Sequence, residues 1–245
     1  MKLNCDMGEA FGAWAMGLDD KIMPFVDQAN IACGFHASDP LTMSKTVALA
    51  KAHNVTIGAH PAYPDLVGFG RRNMDVAPVE LKALIQYQIG ALQGICAAQG
   101  TKVTYVKPHG ALYNTMMENF AVLETVMQAV SELDRSLVLM VMAIPESDKV
   151  RALANQYGLT LWFEAFSDRL YTDEGRLTPR KQANAVHDSF ERIEQQVMEL
   201  SENGCLTTES GASLNVHADT ICVHGDGAHA VEAVQRIRAV VDGSN

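Results

Sequence analysis

Residues 101–114, TKVTYVKPHGALYN, decide how the fold is read. Val103 to Val106 is short, apolar and β-rich, the pattern of a buried strand. Pro108 has no N–H to give a ladder and biases Lys107 away from helix, so the strand stops at Lys107-Pro108-His109-Gly110. A cation and an imidazole therefore stand where a hydrophobic strand ends. The same grammar recurs along the chain. QANIACGF closes on His36, VTIGA on His60-Pro61, and TLWF on Glu164, with Asp168 and Arg169 just after. TICV closes on His224-Gly225-Asp226, and LNC, at the start, on Asp6 and Glu9. In folds built on parallel strands the carboxyl ends carry the site. Parallel strands gather these ends, and with them four of the eight histidines, into one place.

Strand and helix patterns alternate throughout, which predicts a parallel sheet. Residues 2–4, 29–33, 55–57, 103–106, 137–144, 159–163 and 220–223 read as strands. Ser38-Asp39-Pro40 offers a cap followed by proline and starts a helix running to about His53. Pro78 opens a second, with Leu81, Leu84, Ile85, Ile89, Leu92 and Ile95 on one stripe. Further helices carry Val122 to Leu133, residues 148–157, and a last stripe from Val231 to Val241. Another long helix is expected after Pro179, through Val186, Phe190, Ile193, Val197 and Leu200. Residues 205–217 read either as a hairpin or as a loop with a short helix. The expectation is an α/β fold, a seven-stranded parallel β/α barrel forming one domain over residues 1–245.

Composition narrows the function. At 48% hydrophobic and 20% charged residues the chain is an ordinary globular one. No window of about 18 uncharged apolar residues appears and the N-terminus lacks an apolar core, so neither a membrane span nor a secretory signal is expected. The expected location is cytoplasmic. A net charge of −10 argues against nucleic acid and anionic membranes as partners. Five cysteines without a C-x-x-C make a disulfide framework or zinc ribbon a poor reading. Cys5 is a weak candidate nucleophile, because the following Asp6 raises a thiol pKa.

The chemistry of the strand ends suggests an enzyme. Asp6 and Glu9 are paired carboxylates suited to acid/base work or a divalent cation. His36, His60, His109 and His224 come from separate strand ends; Asp6, His36 and His60 form a candidate metal set, and the same imidazoles serve equally as metal-free bases. Lys107 supplies fixed positive charge for an oxyanion or phosphate. Glu164 completes the catalytic candidates. The stretch HPAYPDLVGFGRRNM, residues 60–74, holds glycines, aromatics and Arg71-Arg72, and reads as a lid or wall closing over the site. Neither a G-x-x-x-x-G-K-[ST] loop nor a G-x-G-x-x-G after a strand is present.

LNCDMGE, ANIACGFHASDP, GAHPAYPDLVGFGRR, VKPHGALYN, EAFSDRLYTDEGRLTPR and ICVHGDG, in that order, resemble the LamB/YcsF family. Ser38 and Ser167 depart from the usual small residues there, small for small. The resemblance implies a barrel similar to the glycoside hydrolase/deacetylase type and the A subunit of an ATP-dependent 5-oxoprolinase. That enzyme opens 5-oxo-L-proline to L-glutamate with two further subunits, B and C. ATP with Mg2+ is then handled together with those partners, and a bound divalent metal and a homo-oligomer stay open. Asn4, Arg71, Arg72, Tyr113, Asp168, Arg169, His224 and Asp226 are the candidate substrate contacts. The alternatives are a metal-dependent carbohydrate deacetylase or hydrolase, by fold analogy, and a non-catalytic small-molecule-binding subunit.

Overall fold

The computed structural model describes residues 1–145, 147–187, 189–224 and 230–243. Nine strands lie along the described residues: β1 (Lys2–Met7), β2 (Gln28–Ala32), β3 (Thr56–His60), β4 (Val103–Val106), β5 (Val138–Met142), β6 (Leu161–Phe166), β7 (Cys205–Thr207), β8 (Ser213–Asn215) and β9 (Thr220–Val223). Seven of them, all parallel, close into a barrel in the order β1, β2, β3, β4, β5, β6, β9. The last pairs with both β6 and β1, which closes the ring. The other two, β7 and β8, form a short antiparallel hairpin apart from it. That settles residues 205–217 as a hairpin.

Helices fill the crossovers: α1 (Asp19–Ile22), α2 (Pro40–Ala52), α3 (Pro78–Ala98), α4 (Gly110–Glu118), α5 (Phe120–Leu133), α6 (Asp148–Tyr157), α7 (Phe190–Met198) and α8 (Ala230–Val241). The α2 start follows its sequence: Asp39 caps the Leu41 and Thr42 amides, with Pro40 at the first turn. Gly158, left-handed at φ 67°, ends α6. No helix among the described residues is long and apolar enough to cross a membrane.

Two expected boundaries move. The helix placed after Pro179 begins only at Phe190, because Val186 is held in an extended bridge to Arg169. Helix α4 was not expected: Lys107-Pro108-His109-Gly110 reads only as the end of a strand, yet Gly110 is its first helical residue.

Several strands bring polar side chains into the barrel interior. Along β1, Asn4 and Asp6 alternate with Leu3, Cys5 and Met7, which join the apolar layer under the helices. The register aligns Asp6 with Asn30, Asn30 with Gly58, and Gly58 with Tyr105. Glycine at 58 is what lets the Tyr105 ring lie across the barrel: a Cβ there would sit 2.1 Å from that ring.

Candidate active site

A chain of buried polar groups rises through the barrel to its carboxyl end. Thr220 Oγ1 accepts from Asn4 Nδ2 at 3.0 Å, and Asn4 Oδ1 accepts from Asn30 Nδ2 at 2.8 Å. The Tyr105 hydroxyl donates to Asn30 Oδ1 at 2.6 Å. Asn30 Nδ2 also reaches Asp6 Oδ1 at 2.8 Å. Lys107 Nζ completes the chain, 2.7 Å from Glu164 Oε1, 3.0 Å from Asp6 Oδ1 and 3.2 Å from Asn4 Oδ1. Cys222 Sγ lies 3.3 Å from the same nitrogen. An ammonium has three N–H donors, so Lys107 is fully committed and acts on a ligand through its charge.

Charge balance keeps Lys107 and Asp6 ionised. Burial by itself lowers the Lys107 pKa, but Asp6 first and Glu164 after it hold the ammonium well above its ordinary value. Burial by itself raises the Asp6 carboxyl; His60 and Lys107 reverse this and hold it well below the usual carboxylate range. Burial, then the Glu164 carboxylate, pushes the Tyr113 phenol well up. Burial and Asp6 likewise push the Cys5 thiol well up, so Cys5 is a neutral core residue.

Beside Asp6 stands a group of three imidazoles. His60 Nδ1 is 2.6 Å from the Lys107 carbonyl, which only accepts, so Nδ1 carries the proton. His60 Nε2 then faces Asp6 Oδ2 at 3.2 Å and His109 Nδ1 at 2.9 Å. His109 Nε2 donates to the Phe69 carbonyl at 2.9 Å. His36 lies flat on His109, ring centroids 3.7 Å apart and planes within 4°. Its Nε2 is 3.1 Å from Glu9 Oε1, and that oxygen is 3.7 Å from His109 Nδ1. Burial, and after it the neighbouring imidazoles, pushes His36 and His109 well below the ordinary histidine pKa.

One ligand-type atom each from Glu9, His36, His60 and His109 fall within 4.8 Å of one another. This is not the expected trio of Asp6, His36 and His60. Asp6 meets the group at His60, while its other oxygen is held by Asn30 and Lys107.

A cavity of about 1080 Å³ opens in front of these layers. Asp6, Glu9, His60, Lys107, His109, Tyr113, Arg71, Arg169 and His224 line it, and Asn4, His36 and Glu164 lie buried behind them. Of the two arginines expected to meet an anion, Arg71 lines the cavity, its guanidinium 5.0 Å from the centre of the Phe69 ring. Arg72 does not line it; its Nε donates to the buried Asp65 carboxylate at 2.9 Å and fastens the loop instead. Arg169 is buried and gives its guanidinium to the Thr178 and Ala185 carbonyls at 2.7 and 3.2 Å. Burial, with Arg180 nearby, lowers its pKa to about 10. Asp168 Oδ2 holds His224 Nδ1 at 2.7 Å, behind the cavity wall that His224 forms. Asp226 lies outside the described residues.

The sequence profile of the LamB/YcsF family matches residues 1–245. The chain belongs to the LamB/YcsF family. Among its relatives, the A subunit of 5-oxoprolinase from Pseudomonas fluorescens is 57% identical over 240 residues, covering 98% of this chain and 96% of the relative. The protein of that name from Chromohalobacter salexigens is 55% identical over 241 residues, with 98% and 96% covered. The solved structure of a lactam utilization protein from Thermus thermophilus superposes with a TM-score of 0.92 at 38% identity, covering 100% of this chain and 96% of that one. A putative cellobiose-phosphate cleavage protein of Enterococcus faecalis, with a TM-score of 0.57 at 13% identity and 98% and 89% covered, shares the fold alone.

In this LamB/YcsF chain the cavity also takes cations that the strand-end reading passed over. Arg176, Arg180 and Lys181 line it from the loop after β6. Arg180 donates to His224 Nε2 at 3.2 Å, which fixes that ring from the side opposite Asp168. The signal was present in EGRLTPRK, where three cations fall within residues 176–181.

Proposed function

We propose that this chain is the A subunit of an ATP-dependent 5-oxoprolinase, opening the lactam of 5-oxo-L-proline to L-glutamate with partner subunits B and C. The observation that carries the reading is an Asp6 carboxylate kept ionised at the wall of a cation-lined cavity, with imidazoles beside it. The names of its relatives, the A subunit of 5-oxoprolinase and a lactam utilization protein, support it.

The chemistry asks for such a wall. A lactam carbonyl is a poor electrophile because its nitrogen donates into it. Transfer of the γ-phosphoryl group of ATP to the lactam oxygen, with release of ADP, removes that resistance. Water then adds at the ring carbon, and Asp6 takes its proton. The adduct has to break at the ring C–N bond, because loss of phosphate would regenerate the lactam. The leaving nitrogen needs a proton, which Asp6, protonated by that water, returns to it. A second water releases phosphate from the resulting acyl phosphate and gives glutamate. Lys107 supplies the fixed charge that holds Asp6 as an anion. Arg71, Arg180 and Lys181 hold the substrate carboxylate or the phosphate.

ATP with Mg2+ is handled jointly with the partners in this reading. Phosphoryl transfer needs a nucleotide cradle, and the sequence carries neither a P-loop nor a kinase-like set. The cavity, at about 1080 Å³, lies just above the ~300–1,000 Å³ range of small-molecule sites, more than one small lactam fills. The test is glutamate release by the reconstituted complex. Asp6→Asn is expected to reduce it at least ~100-fold, the scale of a lost general base. Activity within a few-fold of wild type would remove Asp6 from the mechanism.

A further inference from the structure

His60 Nε2 and His109 Nδ1 face each other at 2.9 Å. The other nitrogen of each ring gives its proton to a carbonyl, that of Lys107 for His60 and that of Phe69 for His109. With both outer nitrogens donating, His60 Nε2 and His109 Nδ1 face each other with Asp6 Oδ2 3.2 Å from the former, an arrangement that is favourable only around a cation. Glu9 Oε1 and His36 Nε2 bring their atoms to the same point. We propose that Glu9, His36, His60 and His109 form a mononuclear site for a divalent transition metal, with three nitrogens and one carboxylate oxygen suited to Zn2+.

The geometry fits this cation. Ligand atoms ~2.05 Å from a tetrahedral Zn2+ stand roughly 3.3 Å from one another. The separations here are 2.9, 3.1 and 3.7 Å, and all four atoms lie within 4.8 Å. Metal-bound histidines ordinarily donate their second N–H to a carbonyl or carboxylate, and His60 and His109 both do so. The three rings are buried, and the parallel stack of His36 on His109 suits neutral rings rather than two imidazoliums. His36 Nδ1 is buried without a hydrogen-bond partner among the described residues. Its proton therefore sits on Nε2 toward Glu9 before the cation arrives, and His36 is the weakest of the three nitrogens. A shared proton on His60 Nε2, held by His109 Nδ1 and Asp6 Oδ2, could also fill the gap, but it needs neither Glu9 nor His36. It leaves the convergence of Glu9 and His36 unexplained. Bound, the metal would supply a Lewis acid at the cavity wall next to Asp6.

This assignment goes beyond the 5-oxoprolinase reading and is tested without it, on the isolated chain. The purified protein is stripped with a chelator and titrated with Zn2+ by calorimetry, and with Co2+ by visible absorption. The expected result is one tight equivalent of Zn2+ per chain and the visible bands of four- or five-coordinate Co2+. His109→Ala is expected to abolish stoichiometric binding, and Glu9→Gln, a milder change at the cavity edge, to weaken it by at least ~10-fold. Circular dichroism confirms that each variant is folded. His217→Ala, at the surface, serves as the control and leaves binding unchanged. Absence of stoichiometric binding to wild type overturns the proposal and leaves the shared proton as the occupant. Binding that survives both His109→Ala and Glu9→Gln overturns it too, by placing the metal elsewhere.

Discussion

Lys107 meets two carboxylates, the buried Glu164 at 2.7 Å and the part-buried Asp6 at 3.0 Å, and its removal leaves both without their cation. Breaking a buried pair from one side costs about 3–5 kcal/mol, whereas replacing both partners with neutral groups costs far less. Lys107→Met is therefore expected to lower unfolding free energy by about that much in urea titrations. The double change Lys107→Met with Glu164→Gln should recover much of the loss. A loss below ~1 kcal/mol for the single variant would place this pair with ordinary surface pairs. The His224–Asp168 contact gives a pH test. Burial lowers the His224 pKa, but Asp168 more than offsets it and the net shift is upward; Asp168 is held below its ordinary value by His224, against burial. The Asp168 contribution is present above its unfolded pKa of ~3.9 and is lost as pH falls through the lower folded one. The His224 contribution is complete below its unfolded pKa of ~6.5 and is lost as pH rises through the higher folded one. The Tm advantage of wild type over Asp168→Asn should thus be largest between about pH 4 and 6.5 and shrink at higher pH. An advantage that grows above pH 7 would contradict this pairing.

The loop between β3 and α3 is a wall built on its backbone. The Asp65 carboxylate gathers the Gly68 amide at 2.9 Å, the Arg72 amide at 3.3 Å and the Arg72 side chain. Phe69 takes φ 54°, unusual for a bulky residue, and aims its carbonyl at His109. Gly70 follows at φ 65°, and a Cβ there would stand 2.8 Å from both His36 and His109. Gly12 also has positive φ, at 57°, with open space around it. Both Gly→Ala changes carry the left-handed penalty of about 1–2 kcal/mol. Gly70→Ala should cost clearly more in denaturant titrations, and should shift the histidine ring resonances while Gly12→Ala leaves them in place. Equal costs would mean that the loop yields freely and does not set the imidazoles. Much of this layout was legible in the sequence. Pro61 and Pro108 mark where β3 and β4 stop, and the histidines beside them are the ones that meet. What was illegible depends on long-range pairing. Glu164 looked like a strand end, yet it lies inside β6 because Lys107, 57 positions earlier, neutralises it there. Glu9 and His109 could not be joined to one ligand set from spacing alone, since 100 residues of chain separate them. The start of α7 was misplaced because the Val186 bridge to Arg169 leaves no trace in apolar periodicity.

At the scale of the whole molecule, closure of the ring by β9 against β1 is what turns six separate strand ends into one wall. That wall offers a base, imidazoles and cations in a single cavity. It offers no nucleotide cradle in its sequence, so the account makes the chain dependent on its partners for phosphoryl transfer. The most direct measurement is glutamate release from 5-oxo-L-proline with ATP and Mg2+, made with the purified chain alone and again with the candidate B and C subunits. The account predicts no useful release by the chain alone and release coupled to ATP hydrolysis with the partners. It also predicts loss of that release in the Asp6→Asn and His109→Ala complexes, both folded by circular dichroism. Robust, ATP-dependent glutamate release by the single chain would contradict it.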